Sequence, residues 1–590
     1  MDAVVAACLF PLALFILLNA LDDAVLDALV GWHWLRARLF PDAVAGNASA
    51  EAAPEKRVAI FVPLWHEHQV IRGMVEHNVA AIRYRHYDFF IGAYPNDKPT
   101  LDAVRELEGR FDNVHLAVCA HDGPTSKADC LNWIYQHMLL FEEKHGVSFD
   151  LVVTHDAEDL IHADSLSRIN EHADRYGMVQ IPVLPLATPL RDWVHGIYCD
   201  EFAEYQTKDI PARQILGAFL PSNGVGTGYS RAALEKLACT SGNQVFNPVC
   251  LTEDYENGMR LHRHGFAQKF VPLTGGAGAV ATREYFPRRL RSAIRQRTRW
   301  ITGISLQSWE LNGWSGGLVQ GYWFWRDRKG LVANPAGLLS NLLLCYGLAT
   351  WIAAHVSGGV WGLAHAANHP ALFVAIVVLQ VFHMTVRMAC VTRYFGWRFA
   401  LGVPIRVLLA NYINGIATMA AEFQFFRAKL RHQPLVWLKT EHAFPSRAAL
   451  LPHKPPIGEL LIGARLITPE QLKLALASQP PGFRIGEYLV RLGLIQENDL
   501  YRALAVQQGL TAGYISASDV NPRIARALPR FVIRQWKVLP VRVHEGSMIL
   551  ASPEVPCEEL QWVLQPLTSL TVQFHLVTPE NFAELTAGIA

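Results

Sequence analysis

The sequence predicts three structural parts: an α/β domain, a group of membrane-length apolar helices and a small C-terminal α/β domain. Between residues 57 and 280, apolar strand-like runs alternate with stretches long enough for crossover helices, which is the pattern of a parallel sheet covered on both faces. Apolar segments at 4–21, 335–356 and 370–390 are each about long enough to cross a bilayer. A 24-residue pattern at 456–479 recurs at 484–507. A chain of 590 residues is long enough for about three domains. Its net charge of +1 gives no global reason to bind a nucleic acid polymer. A hydrophobic content of 51% with positive mean hydropathy suits a chain that is part membrane and part soluble. The nine cysteines form no CxxC and no metal-ligand spacing, so reduced thiols are expected.

The first span, 4–21, has no basic segment before it and no small-residue cleavage site after it, so it reads as a membrane helix rather than a signal peptide. His33, Arg36 and Arg38 follow it and predict a cytoplasmic C-terminal end. Small polar residues at 44–56 form a linker. Strands are expected at Val58–Pro63, Tyr87–Ala93, 115–120 and 151–155. In an open α/β sheet ligands bind beyond the strand C-terminal ends, where the early motifs fall. Residues 284–315 mix Arg, Trp and apolar side chains, as an interfacial helix or an ordinary surface helix would. The loop between the spans 335–356 and 370–390 has no Lys or Arg and is assigned to the periplasm. The segment 401–423 contains Pro404, Arg406, Asn411 and Asn414, which disfavours a lipid-facing span. It is expected to be re-entrant or interfacial, or to be a span paired with another. A basic, aromatic connector covers 427–445. The predicted domains are 1–43, 52–283, 284–445 and 452–590.

Seven motifs occur in order between Val62 and Trp300: VPLWHE, YPND, SKADCLN, DAED, NGVGTG, TED and QRTRW. The acids Asp156, Glu158 and Asp159 follow the strand LVVTH, where they could hold a divalent cation against a diphosphate or form a solvated turn. Glu253 and Asp254 offer a general base or a helix cap. Arg299 could offset phosphate charge, and Trp300 could stack on a sugar. The ordered set resembles the membrane-embedded family 2 glycosyltransferases, which include cellulose and hyaluronan synthases. The resemblance implies a glycosyltransferase-A-type α/β domain and an inverting transfer from a UDP-sugar. It assigns Asp254 as the catalytic base and Asp156 and Glu158 as ligands of Mg2+ or Mn2+, with Glu158 replacing the Asp usual in that motif. Glu67, Asp97, Lys127 and Asp156 would bind the donor nucleotide, with Asn132 lining the site. Gln296, Arg299 and Trp300 would meet phosphate and acceptor in the manner of processive synthases, and NGVGTG would lie near the acceptor.

In the second repeat copy, Arg484, Ile485, Gly486, Leu489, Gly493, Leu500, Leu504 and Gln507 resemble the MshEN cyclic-di-GMP-binding domain. The first copy retains Ile457, Gly458, Leu461, Leu472 and Gln479 but departs at Pro456 and Arg465. Glycine would allow close approach to a flat anionic ligand, and Arg could stack on guanine or pair with phosphate. A two-repeat helical adaptor with a leucine core is the alternative. MshEN domains often precede ATPases, but this sequence contains no G-x-x-x-x-G-K-[ST]. The whole arrangement resembles the phage-adsorption protein B family. That resemblance implies a bacterial inner-membrane enzyme with cytoplasmic catalytic and regulatory domains. It would polymerise a UDP-sugar, a UDP-N-acetylhexosamine being one candidate, onto a glycan acceptor as exopolysaccharide. Cyclic di-GMP would stimulate it, and an outer-membrane export or receptor protein would be its partner. The competing reading is a membrane scaffold with a decayed active site.

Overall fold

The computed structural model describes residues 2–40, 54–363, 369–433 and 456–587, except 465, 481, 509, 545, 546, 566 and 569. The chain divides into two compact units: residues 1–71 with 85–444, and residues 72–84 with 445–590. The linker at 44–56 and the connector at 427–445 fall largely outside the described residues, as does Arg465.

The first unit is built on a seven-stranded sheet of order β3 (Val114–Val118), β2 (Tyr87–Ala93), β1 (Val58–Pro63), β4 (Leu151–Thr154), β7 (Thr227–Ser230), β5 (Met178–Gln180), β8 (Gln268–Phe270). β1 (Val58–Pro63) pairs in parallel with β2 (Tyr87–Ala93) on one side and β4 (Leu151–Thr154) on the other, and β3 (Val114–Val118) extends the parallel half. Every residue of β2 is buried, so its apolar run is continuous rather than alternating. The expectation of an all-parallel sheet is corrected at β7 (Thr227–Ser230), which runs antiparallel to both β4 and β5 (Met178–Gln180). Thr227 at the start of β7 pairs with Thr154 at the end of β4. The loop before an antiparallel strand lies at the same sheet edge as the loops after its parallel neighbours. NGVGTG and DAED therefore share one edge.

The helices Gly317–Ser357 and Pro370–Phe395, and the stretch Val5–Arg36 of the first helix, are long and apolar enough to cross a membrane. Ion pairs and a hydrogen bond tie the first helix, Asp2–Leu39, to the helix Gly317–Ser357. Arg326 pairs with Asp22 and Asp23, Lys329 reaches Asp22 at 2.7 Å, and the Tyr346 hydroxyl donates to Asp2 at 2.5 Å. A second, largely buried network joins the first helix and the helix Pro370–Phe395 to the α/β domain. Lys208 lies 2.9 Å from Asp27 and 2.5 Å from Glu204, while Arg387 and His383 approach Glu204 at 2.5 and 3.5 Å.

The segment expected to be re-entrant, interfacial or a paired span is one unbroken helix, Val403–Leu430, and is not among the three membrane-length candidates found among the described residues. One face is buried: Arg406 makes a paired contact with Asp200 at 2.7 Å, and Thr298 donates to the Ala417 carbonyl at 3.3 Å. Asn411 bonds Asn341 at 3.2 Å and Asn414 bonds Arg297 at 2.5 Å, so these asparagines link helices. Ile405, Leu408, Tyr412, Met419, Phe423, Phe426 and Leu430 form an exposed apolar stripe on the other face. In the region 284–315, the helix Leu290–Ile301 continues through a π-helical turn, Thr302–Gln307, into Ser308–Asn312, and Trp309 and Trp314 are exposed beyond it.

In the second unit, the repeat forms the helix pairs Ile457–Gly463 with Pro469–Ser478 and Ile485–Arg491 with Glu497–Gln508. Leu461, Ile467 and Ala475 of one copy pack in a common core with Leu489, Ile495 and Ala503 of the other. A four-stranded sheet follows, in the order Thr511–Ala512, Thr571–Leu576, Ser547–Ser552, Leu539–His544, packed on helices within 530–587.

Candidate active site

One cavity at the C-terminal edge of the sheet collects most of the predicted catalytic residues. Glu67, Lys127, Asp156, Glu158, Asp254, Gln296, Arg299 and Trp300 all line it, together with Glu253 and Asn223. Asp156 and Glu158 enter from the turn after β4, which ends at Thr154. Asp159, the remaining acid of that motif, points away from the cavity. It bonds His155 Nδ1 at 2.7 Å and accepts from the Asp156 backbone N–H at 3.0 Å. Burial pushes His155 down to about 3 and, with Asp156 and Glu158 adjacent, raises the Asp159 carboxyl well above its ordinary value. The pair holds the turn through these two hydrogen bonds.

Lys127 is the first residue of the helix Lys127–His145, whose Ser126 cap accepts from the Asp129 N–H. A lysine at a helix N-terminus suits an anion. Its Nζ lies 2.5 Å from Asp156 Oδ1. Burial favours the neutral amine, but Asp156, Glu253 and Asp254 outweigh it and raise the Lys127 pKa. Glu253 and Asp254 open the helix Glu253–Arg263. Asp254 Oδ1 accepts from the Tyr255 backbone N–H at 2.8 Å. Burial raises both acids, and neighbouring Asp254 helps bring Glu253 to about 7.

Gln296, Arg299 and Trp300 lie on the helix Leu290–Ile301. Gln296 Oε1 and Arg299 Nε are buried without a protein hydrogen bond among the described residues, leaving capacity for a ligand. Trp300 meets Tyr198 and Phe286 edge-on at 6.2 and 6.4 Å.

Two predicted positions are not in the cavity lining. Asp97, 1% exposed, accepts from the His66 backbone N–H at 2.6 Å. His66 has a φ of 54°, an uncommon conformation for a residue with a side chain. Asp97 thus supports the turn that presents Glu67. Asn132 is buried and bridges the backbone of Phe246 in both directions, at 2.7 and 2.9 Å. The cavity also includes residues absent from the sequence assignment. Trp65 and Tyr94 meet edge-on at 5.3 Å, and Tyr94 shares a 2.6 Å hydrogen bond with Thr125. Their position just beyond β1 and β2 was a usable signal. Glu284 and Phe286 also line the cavity but follow the short strand β9 (Thr282–Glu284), and no local pattern marks them.

In the repeat, the assigned leucines are mainly core: Leu461 and Leu489 are fully buried, Leu500 is buried, and Leu472 and Leu504 pack beside them. Ile457 and Ile485 join this packing. Gly458 and Gly486 permit helix crossings rather than an open ligand surface. A Cβ at Gly458 would lie 2.6 Å from Leu472, and one at Gly486 would overlap Leu500. Arg484 and Gly493 are exposed, and Gln479 and Gln507 are half-buried.

Residues 54–303 match the family described as glycosyltransferase-like family 2. Across 578 residues the chain is 33% identical to bacteriophage adsorption protein B of Escherichia coli strain K12, covering 92% of this chain and 76% of that protein. A C-terminal region is 38% identical over 96 residues to the type IV pilus assembly ATPase PilB of Myxococcus xanthus, covering 16% of this chain and 17% of that one. The solved structure of MshE with cdg matches at 24% identity over 22% of this chain and 95% of its own, with a TM-score of 0.20. With a family 2-like glycosyltransferase domain and a 33% identical relative that matches 92% of this chain and 76% of its own length, the chain belongs to the bacteriophage adsorption protein B family.

Proposed function

We propose that this glycosyltransferase is an inverting, processive enzyme that polymerises a UDP-sugar into an exopolysaccharide and is activated by cyclic di-GMP. The observation that carries the proposal is the single cavity in which Asp156, Glu158 and Lys127 meet Asp254 and the Gln296–Arg299–Trp300 group. The acceptor hydroxyl attacks the anomeric carbon, the bond from that carbon to the diphosphate breaks, and UDP leaves. Asp254 takes the hydroxyl proton as the new bond forms, so no covalent enzyme intermediate is needed. Lys127 and Arg299 offset charge on the departing diphosphate, and Glu67 faces the nucleotide. Asp156 and Glu158 are hard oxygen donors that fit Mg2+ or Mn2+, and such an ion would supply Lewis-acid stabilisation of the leaving group. Asp97 acts through the turn bearing Glu67. Trp300 and Asn223 bound the acceptor side.

The protein lies in a bacterial inner membrane with its catalytic and regulatory domains in the cytoplasm. Arg36 and Arg38 after the first span, and the absence of Lys and Arg from 358–369, support this orientation. The exposed apolar stripe on Val403–Leu430 is bilayer-facing in this reading. Cyclic di-GMP binds within the repeat, where Arg484, Gln479 and Gln507 supply polar contacts to the nucleotide. The name of the adsorption-protein relative supports a surface product and an outer-membrane export or receptor partner. The alternative of a decayed scaffold is disfavoured by the intact acids in the cavity.

The decisive experiment measures UDP release by purified full-length protein over a panel of UDP-sugars, including N-acetylhexosamines, with and without cyclic di-GMP. Release from one donor, increased by the dinucleotide and lost in chelator, is expected. Absence of release from every donor despite dinucleotide binding would favour the scaffold.

A further inference from the structure

We propose that Asp327, on the membrane-length helix Gly317–Ser357, is a positioning residue for the catalytic base. The inference rests on Asp254 being that base. Tyr255, the next residue, holds Asp254 through its backbone N–H at 2.8 Å. The Tyr255 hydroxyl donates to Asp327 Oδ2 at 2.6 Å. Arg213 donates to both oxygens of the same carboxylate. Arg213 is 1% exposed, and its guanidinium lies over Phe219 and Trp323 at 5.0 and 4.6 Å. The Tyr255 ring meets Phe219 edge-on at 5.4 Å. A carboxylate only 17% exposed and bonded by two strong donors has little freedom, so it fixes the phenol and, through it, the backbone that holds Asp254.

The opposite side of the base is held by the extension of the QRTRW helix. Ser305, in the π-helical turn, donates to the Asp327 carbonyl at 2.7 Å. Gln307 accepts from the Leu251 N–H and donates to the Val249 carbonyl, both at 2.9 Å. Gly303 is required beside Thr252, because any Cβ there would overlap the threonine side chain. Segment 249–255 is thus held between the extension of the QRTRW helix and the helix Gly317–Ser357, with Asp327 bonded to Tyr255 through its carboxylate and to Ser305 through its carbonyl. Displacement of the membrane helix would move the base.

The test compares Tyr255→Phe, Asp327→Asn, Asp327→Ala and Asp254→Asn in full-length protein, using UDP release from the donor that supports turnover. UDP binding with Mn2+ counts intact sites. Tyr255→Phe removes one hydroxyl and keeps the ring. It should lower kcat roughly 10- to 100-fold, as expected when a reacting group is misplaced, while donor KM and UDP binding stay unchanged. Asp327→Asn keeps an oxygen for Tyr255 and should retain more activity than Asp327→Ala. Combining Tyr255→Phe with Asp327→Ala should be no worse than the poorer single variant, because both break one link. Wild-type kcat in Tyr255→Phe, or a loss that follows lost UDP sites, would overturn the proposal. Full turnover by Asp254→Asn would instead remove the base assignment itself. An inactive Asp254→Asn beside a fully active Tyr255→Phe would reject the positioning role alone.

Discussion

At the residue scale, adjacent buried acids control the ionisation of the site. Burial, with Asp254 beside it, brings Glu253 from 4.5 to about 7. Between those values the folded protein retains a proton that the unfolded chain has released. The native state binds more protons, so this group's contribution to stability falls as pH rises through the window. Glu253→Gln should flatten the corresponding fall in Tm from pH 4.5 to 7, measured in detergent; parallel wild-type and variant curves would contradict the assignment. The sequence exposed these acids through motif order, but could not say which atoms they would meet. Asp97 sits at the expected strand end, yet its carboxylate accepts from the His66 N–H. Asn132 likewise secures Phe246. Contacts between residues 31 or 114 positions apart are not encoded in a local motif.

At the element scale, the helices are joined by buried charge as well as by apolar packing. Burial alone would raise the Glu204 carboxyl, but Arg387 and Lys208 hold it well below the ordinary carboxylate range. Glu204→Gln would leave Lys208 and Arg387 inadequately paired in a dry site. It should cost about 3–5 kcal/mol, read as a lower Tm in detergent. An unchanged Tm would show that the network relaxes without loss. The helix Val403–Leu430 has a different test. A fluorophore at Phe423, on its exposed apolar face, should be quenched by brominated lipid, while one at exposed Asp102 should not be. Equal quenching at both positions would refute the lipid-facing assignment. The strands β1 and β2 were legible to the residue because a buried strand needs a short apolar run. The long helix at 403–430 was less legible because its buried polar side chains pair with partners from other helices.

At the scale of the whole molecule, the proposed dinucleotide control is separable from catalysis. Arg484→Ala in the full-length protein should abolish cyclic-di-GMP binding and stimulation while leaving basal UDP release intact. Retained affinity in calorimetry would remove Arg484 from the ligand site. The sequence by itself determined the α/β fold class, the membrane-length apolar helices, the order of the acidic motifs and the internal repeat. These are properties of local period, segment length and chemical type. Only the tertiary structure decided that β7 runs antiparallel, bringing the glycine loop to the edge that bears Asp156. It likewise decided that Gly458 and Gly486 accommodate leucines, and that Asp327 joins a membrane helix to Tyr255. Strand direction and the partner of a buried polar atom depend on which distant segments become neighbours, and neither follows from the local sequence pattern.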